Sequence, residues 1–135
     1  MSDLTGFLLA RIAEDVAAAS LATPGPWWGN DQGWEDANGE PIIQAPYHPI
    51  DATSQDVEHV AKWNPARVLA ECEAKRRIVE AHPDGHEPGE AVPFCSTCEP
   101  EGPWNPATHR YQCPTLRLLA LPYADHPDYR EEWRP

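Results

Sequence analysis

From Ser2 to Ala22 the apolar residues Leu4, Phe7, Leu8, Ile12, Val16 and Ala19 recur every three or four positions, with Arg11, Glu14 and Asp15 between them. That period predicts an amphipathic helix over residues 1–22 that buries one face. Ser2 suits the N-cap, where its hydroxyl oxygen can take an otherwise unpaired N–H, and Asp3 suits the positive end of the helix dipole. Pro24 and Pro26 cannot continue helical hydrogen bonding and end the segment. In residues 26–46 the pattern changes. Asn38-Gly39 stands between an aromatic stretch and Ile42-Ile43, and such a pair supplies the positive φ angles of a type I′ turn. A short β-hairpin follows, with strands near Gly33 to Ala37 and Glu40 to Ala45. Pro41 has no N–H to give a ladder and assigns its strand to an edge. So short a hairpin needs support, and Trp27, Trp28 and Trp34 are expected to lean on helices.

Residues 53–82 form a helical centre. Thr53 or Ser54 can cap a short helix carrying Val57, Val60 and Ala61. Asn64-Pro65 then restarts the chain with Asn at the N-cap and Pro at the first helical position. The helix that follows sets Val68, Leu69, Cys72, Arg76 and Val79 near one face and ends near His82, before Pro83. Cys72 reads there as a packed core thiol. Lys75 to Arg77 read as a solvated face pairing with Glu71, Glu73 and Glu80. Residues 83–94 read as loop. After Cys113, Pro114 opens a third main helix with Leu116, Leu119 and Ala120 inward, within a C-terminal helix and tail over 114–135. His-Pro-Asp occurs at His82 to Asp84 and again at His126 to Asp128; it reads as helix-stop and helix-start chemistry, with Pro127 at a first helical position.

Composition limits what such elements can bury. The chain has 135 residues, enough for one domain over 1–135, but 16 prolines, 8 glycines and only two phenylalanines leave little apolar material in its middle. A covalent or metal staple would offset that. Twenty-two acidic against 10 basic residues give a net charge of -12, which repels phosphate backbones and excludes nonspecific nucleic-acid binding as an expected activity. No run approaches the roughly 18 to 20 apolar residues of a membrane span, and the N-terminus lacks the basic and apolar regions of a signal peptide. The expected compartment is the cytoplasm, where clustered cysteines are metal ligands or redox centres more often than disulfides.

Three of the four cysteines fall within Cys95 to Cys113. Cys95 and Cys98 have the two-residue spacing that lets both thiolates reach one ion, and Cys113 supplies a third. Tetrahedral zinc takes four ligands, and the fourth is contested. His109 gives a local Cys-Cys-His-Cys spacing, His86 lies in the same loop, and His82 ends the central helix. With His82 the ion would join the end of one helix to the start of the next, closing a loop of residues 83–113 that has no evident core. Cys113 would also sit at a helix N-terminus, where the dipole favours thiolate. A redox pair in Cys95-Ser96-Thr97-Cys98 fits less well, because Glu99-Pro100 follows where a helix would begin. No phosphate-binding glycine loop, nucleophile elbow or zinc-protease motif is present, so no catalytic and no cofactor-binding residue is assigned.

Four stretches carry a family likeness: Ala22 to Trp27, His59 to His82, the Cys95/Cys98 pair, and Cys113 to Trp133. In them the chain resembles an uncharacterised family of actinobacteria and their phages, domain of unknown function 6221. The resemblance favours His82 as fourth ligand, since family members look alike at the end of the central helix while the later loop varies. It brings no catalytic residue and no substrate.

The expectation is therefore an α+β protein of three main helices, a short β-hairpin and a Cys3His zinc-knuckle loop, with structural zinc on His82, Cys95, Cys98 and Cys113. Its expected function is that of an accessory or regulatory protein, phage-linked, acting on a protein partner that no motif identifies. One alternative is a metal-dependent enzyme with an open zinc position near an acid such as Asp84 or Glu90. The other is an acidic mimic of nucleic acid.

Overall fold

The computed structural model describes residues 2–44, 53–85, 94–98 and 113–135. Its elements run α1 (Asp3–Leu21), β1 (Trp28–Asn30), β2 (Gly33–Glu35), β3 (Pro41–Gln44), α2 (Ser54–Lys62), α3 (Pro65–Ala81), β4 (Asp84–Gly85), β5 (Phe94–Cys95) and α4 (Pro114–Ala120). Two 3-10 turns, Leu121–Tyr123 and Glu131–Trp133, complete them. The class is α+β, with four helices among the described residues: α2, at nine residues, is longer than α4, at seven. The chain divides into two compact units, Met1–Ala13 with Ala74–Pro135, and Glu14–Glu73.

In the first unit α1 starts as its sequence directs, with the Thr5 N–H donating to Ser2 Oγ at 3.2 Å. Leu4, Phe7, Leu8 and Ile12 are buried, and so is Arg11. At about 100° per residue Arg11 falls between Phe7 and Leu4 on the helix circumference, so the turn geometry carries it inward despite its charge. The charge is met there. Arg11 Nη1 donates to His126 Nδ1 at 2.9 Å, lies 3.6 Å from Asp128 Oδ2, and the guanidinium stands 5.2 Å from the Phe7 ring centre. Val16, counted with the apolar stripe, is exposed, because successive four-residue steps have rotated it roughly 120° from Leu4.

Phe7 is the hub of an aromatic cluster with Tyr123, His126, Tyr129 and Trp133, at centroid distances from 4.9 to 6.4 Å and mostly edge-on. Leu116, Ala120, Val79 and Trp133 are buried in the same unit. Pro114 does open α4, which passes into the first 3-10 turn at Leu121, just before Pro122. Pro127 starts no helix. It lies in a turn in which the Asp128 N–H donates to His126 Nδ1 at 3.1 Å, so the second His-Pro-Asp closes on its own histidine.

The second unit holds a three-stranded antiparallel sheet in the order β1-β2-β3, one strand more than the predicted hairpin. Pro41 sits on the edge strand, as expected. The turn differs: Gly39 alone has positive φ, at 78°, and no non-glycine residue does. Asp36 organises it. Asp36 Oδ1 accepts from Asn38 N and Glu40 N, Gly39 N donates to Asp36 O at 3.0 Å, and Asp36 N to Glu40 O at 2.9 Å. This is a three-residue loop with glycine in the left-handed position, and the ladder has a separate register shift farther from the loop, at Trp34/Glu35. An aspartate that satisfies two backbone N–H groups removes the need for Asn38 to adopt positive φ.

Helix α2 packs on β1 and β2. Trp34 is buried with its indole N–H on Val57 O at 3.1 Å, whereas Trp28 is exposed. Thr53 and Asp56 form a reciprocal capping box on α2, and Asn64 Oδ1 caps α3 through Ala66 N at 3.0 Å. Cys72 is buried as a core thiol, but Leu69 and Arg76 lie off the seam; Arg76 pairs with Glu80 one turn on. Of the predicted charge pairs around Lys75, Glu71 instead takes Arg67 at 2.9 Å, and Lys75 Nζ donates to the Tyr123 hydroxyl Oη at 3.4 Å.

Gly29 and Gly6 make opposite predictions. A Cβ on Gly29 would collide with Val57 Cγ1 and come within 3.1 Å of its carbonyl, so Gly29→Ala is expected to cost about 1 to 3 kcal/mol in urea unfolding. On α1 a Cβ on Gly6 meets nothing within 4 Å, and Gly6→Ala is expected to add about 0.5 to 1 kcal/mol.

Candidate metal centre

All four candidate residues belong to the first unit, and the backbone brings them together in three steps. First, α3 ends at Ala81, and the His82 N–H closes its last turn on Val79 O at 3.1 Å. Pro83 forbids continuation. Second, residues expected to be loop pair as strands: β4 and β5 are antiparallel, with Asp84 opposite Cys95 and Gly85 opposite Phe94. The Ser96 N–H donates to Pro83 O at 3.1 Å, and the Thr97 hydroxyl to Ala81 O, one of the carbonyls a helix end leaves unpaired. Third, Cys113 occupies the N-cap of α4, and its carbonyl accepts from Arg117 N at 3.0 Å.

The result is a compact donor set. One ligand atom from each of His82, Cys95, Cys98 and Cys113 lies within 4.8 Å of the others. His82 Nδ1 is 3.5 Å from Cys95 Sγ, 3.4 Å from Cys98 Sγ and 3.5 Å from Cys113 Sγ. Cys98 Sγ and Cys113 Sγ are 3.7 Å apart, far beyond the roughly 2.05 Å of a disulfide. A tetrahedron with metal–sulfur bonds of about 2.3 Å and a metal–nitrogen bond of about 2.05 Å has sulfur–sulfur edges near 3.8 Å and sulfur–nitrogen edges near 3.6 Å. Four of the six edges match these within about 0.2 Å and all six lie within 4.8 Å, so the cluster could hold a metal ion. The Cys98 N–H donates to Cys95 Sγ at 3.4 Å, a bond that lowers charge on the sulfur and fixes the two-residue knuckle.

Exposure across the set is uneven: Cys95 and Cys113 are buried, His82 is half-buried and Cys98 is exposed. Burial pushes the Cys113 thiol up to about 12, reinforced by the neighbouring Cys95 and Cys98 sulfurs and opposed by the Leu116 N–H. The helix N-terminus was expected to favour thiolate here; desolvation overrides it, since α4 is short and the sulfur is shielded from water. A cation among the sulfurs reverses that balance.

His109, His86 and Glu90, weighed in the sequence as ligand or acid, lie outside the described residues. Asp84, the other candidate acid, accepts the Ser2 N–H through Oδ2 and so ties the start of α1 to β4. The sequence pattern missed Thr97 and Ser96. Their signal was their place between two cysteines, where knuckle backbone must turn, rather than any hydrophobic period.

The family model of DUF6221, a family of unknown function, matches residues 1–135, which include all four residues of the cluster. The chain belongs to DUF6221. No curated protein and no solved structure matches this DUF6221 chain.

The shifted thiol makes a sign-definite prediction for the metal-depleted protein. At pH 8 a thiol with pKa about 12 is roughly one part in ten thousand thiolate, so Cys113 should alkylate far more slowly than in urea. Its rate should rise about tenfold per pH unit. Because the folded pKa lies above the ordinary thiol value of 9.0, metal-free protein should lose stability as pH rises from 9.0 towards about 12, a trend that alkaline urea titrations would read.

Proposed function

We propose that this DUF6221 protein is a small zinc-stabilised accessory or regulatory protein that works through protein contacts, with His82, Cys95, Cys98 and Cys113 as the ligands of a structural zinc. The observation that carries the reading is the convergence of three sulfurs at 3.4 to 3.5 Å around the single nitrogen His82 Nδ1. Three soft thiolates and one imidazole suit zinc, and four protein ligands fill its tetrahedron and leave no position for a substrate. That closed set favours a structural ion over the metal-dependent enzyme.

A cleft of about 360 Å³ in the first unit adds to the same preference. It is lined by Arg11, Arg130, Asp3, Asp128, Phe7 and Trp133 among others, and by none of the four cluster residues. Its charges answer one another: Arg130 pairs with Asp3 at 2.7 Å and Arg11 with Asp128 at 3.6 Å. Several acids are likewise committed to local structure, Asp36 to its turn, Asp56 to its capping box and Glu131 to Arg134. This favours a role for acidity in folding and solubility over nucleic-acid mimicry.

Exposed Trp28, Ile43 and Trp63 in the second unit supply apolar area for a protein contact. The likeness to actinobacterial and actinophage sequences makes a host or phage protein the partner in this reading. A thiolate-rich zinc site suits a reducing cytoplasm. No described helix is long and apolar enough to cross a membrane. The 135 residues act as one domain in this proposal, with a single cooperative unfolding transition.

Elemental mass spectrometry on protein purified without added metal is the test. About one zinc per chain is expected, retained in His109→Ala and reduced in His82→Ala, whose affinity should fall by more than about a hundredfold. Chelation should lower the melting temperature by roughly 10 °C or more. Acidification should release metal, since protons compete for the thiolates and Cys113 holds its proton tightly. Metal-free protein with an unchanged melting temperature would overturn the reading.

A further inference from the structure

The four cluster residues are not equally protected. Cys95 and Cys113 are 6% and 8% exposed, whereas Cys98 lies open to solvent. A structural site whose only task is to close a loop gains nothing from an accessible sulfur, because exposure invites competing ligands and oxidants. The exposed sulfur is also in contact with a second one, at 3.7 Å from Cys113 Sγ. Closing that gap to a disulfide of about 2.05 Å takes a movement of less than 2 Å. Cys98 ends a knuckle whose Ser96 N–H donates to Pro83 O and whose Thr97 hydroxyl donates to Ala81 O at the end of α3, so named hydrogen bonds hold the backbone that presents its sulfur.

We infer that the cluster is a peroxide-responsive zinc switch, in which Cys98 is the point of attack and Cys98–Cys113 is the disulfide that expels the ion. The inference rests on the zinc reading given above. In the first step the Cys98 thiolate attacks one oxygen of a hydroperoxide. An S–O bond forms, the O–O bond breaks, and the departing oxygen takes a proton and leaves as water or an alcohol, with Cys98 as sulfenic acid. In the second step the Cys113 thiolate attacks the Cys98 sulfur, forming the S–S bond and expelling hydroxide, which takes a proton to become water. Two thiolates have lost two electrons, and one peroxide has gained them.

The ion then retains only His82 and Cys95 of its four ligands, and two ligands do not hold zinc in a closed site. Cys95 is the poorer candidate for attack on both counts shown here: it is buried, and it accepts the Cys98 N–H, which withdraws charge from its sulfur. A thiol reductant reverses the disulfide and restores the ligand set. The ligand class that the site senses is therefore a small hydroperoxide.

The experiment follows zinc in the full chain, loaded with one equivalent and treated with hydrogen peroxide, using a chromogenic zinc chelator. Intact mass and a peptide map are taken at each time point. The expected result is zinc release in step with loss of two hydrogen atoms from the protein, a Cys98–Cys113 link, and reloading after dithiothreitol. Cys98→His, which keeps a zinc-ligating side chain, should hold the ion and slow peroxide release at least tenfold, while Cys72→Ser should behave as the parent.

Should Cys98→His fail to fold, the zinc-loaded parent still decides the matter: brief treatment with peroxide and dimedone must label Cys98 ahead of Cys95 and Cys113. Retained zinc at peroxide levels that oxidise a free thiol, a disulfide of any other pairing, or first labelling at Cys95 or Cys113 would overturn the switch. Each of these leaves the structural zinc site standing. A chain that never takes up zinc fails earlier, at the zinc reading itself, so the two failures are distinguishable.

Discussion

Three sulfurs packed against one imidazole nitrogen, two of the sulfurs out of reach of water, form an arrangement that no uncharged or uncompensated set of thiols stabilises well. Thiolates there would repel and lack solvation, and thiols are weak hydrogen-bonding partners. Burial drives Cys113 towards the protonated state, and a divalent ion reverses the sign by supplying the charge that water cannot. The local backbone offers the cluster little support of its own. β4 and β5 are two residues each, too short to persist as an isolated ladder, and α4 is a seven-residue helix.

What surrounds the cluster is a set of ties that shorten its loop before any ion acts. Thr97 answers a carbonyl at the end of α3, Ser96 bonds to Pro83, and Asp84 reaches the backbone N–H of Ser2. The two His-Pro-Asp tripeptides thereby do related work in the first unit. In one, His82 joins the cluster while Asp84 holds the start of α1. In the other, His126 Nδ1 accepts from both Arg11 and the Asp128 N–H, and the Asp128 carboxylate stands beside the same guanidinium. Each proline stops regular structure so that the flanking histidine and aspartate face a partner far away in sequence.

Residues with a local reason to be where they are were legible in the sequence. Ser2, Thr53, Asn64 and Pro114 mark helix starts through bonds made within a few residues, and the structure starts helices there. Pro41 names its edge strand by what it lacks. The three cysteines were legible from their spacing, whereas the histidine was open between His82, His109 and His86 and the family likeness favoured His82, which the structure places with the three sulfurs. Less legible were features set by partners distant in the chain. Arg11 looked polar in a linear pattern, yet its helical angle takes it inward to His126 and Phe7. The strand β1 carries exposed residues throughout and so has no alternation to read; its pairing with β2 is what defines it. The Asn38-Gly39 turn misled for a related reason, since the aspartate two residues earlier changes which turn is cheapest.

The aromatic cluster around Phe7 makes a further point about polar groups in a small core. The Tyr129 hydroxyl and the Trp133 indole N–H are buried with no hydrogen-bond partner among the described residues. Each such loss costs on the order of 1 to 3 kcal/mol. A chain with two phenylalanines must use amphipathic rings where a larger domain would place leucine or phenylalanine. Edge-on contacts between Phe7 and Tyr129 and between Tyr129 and Trp133 return part of that cost, at about 0.5 to 1.5 kcal/mol per ring pair. Marginal stability is general for domains of this size, and it is the condition under which one bound ion would decide whether a short ladder, a knuckle and a seven-residue helix stay assembled.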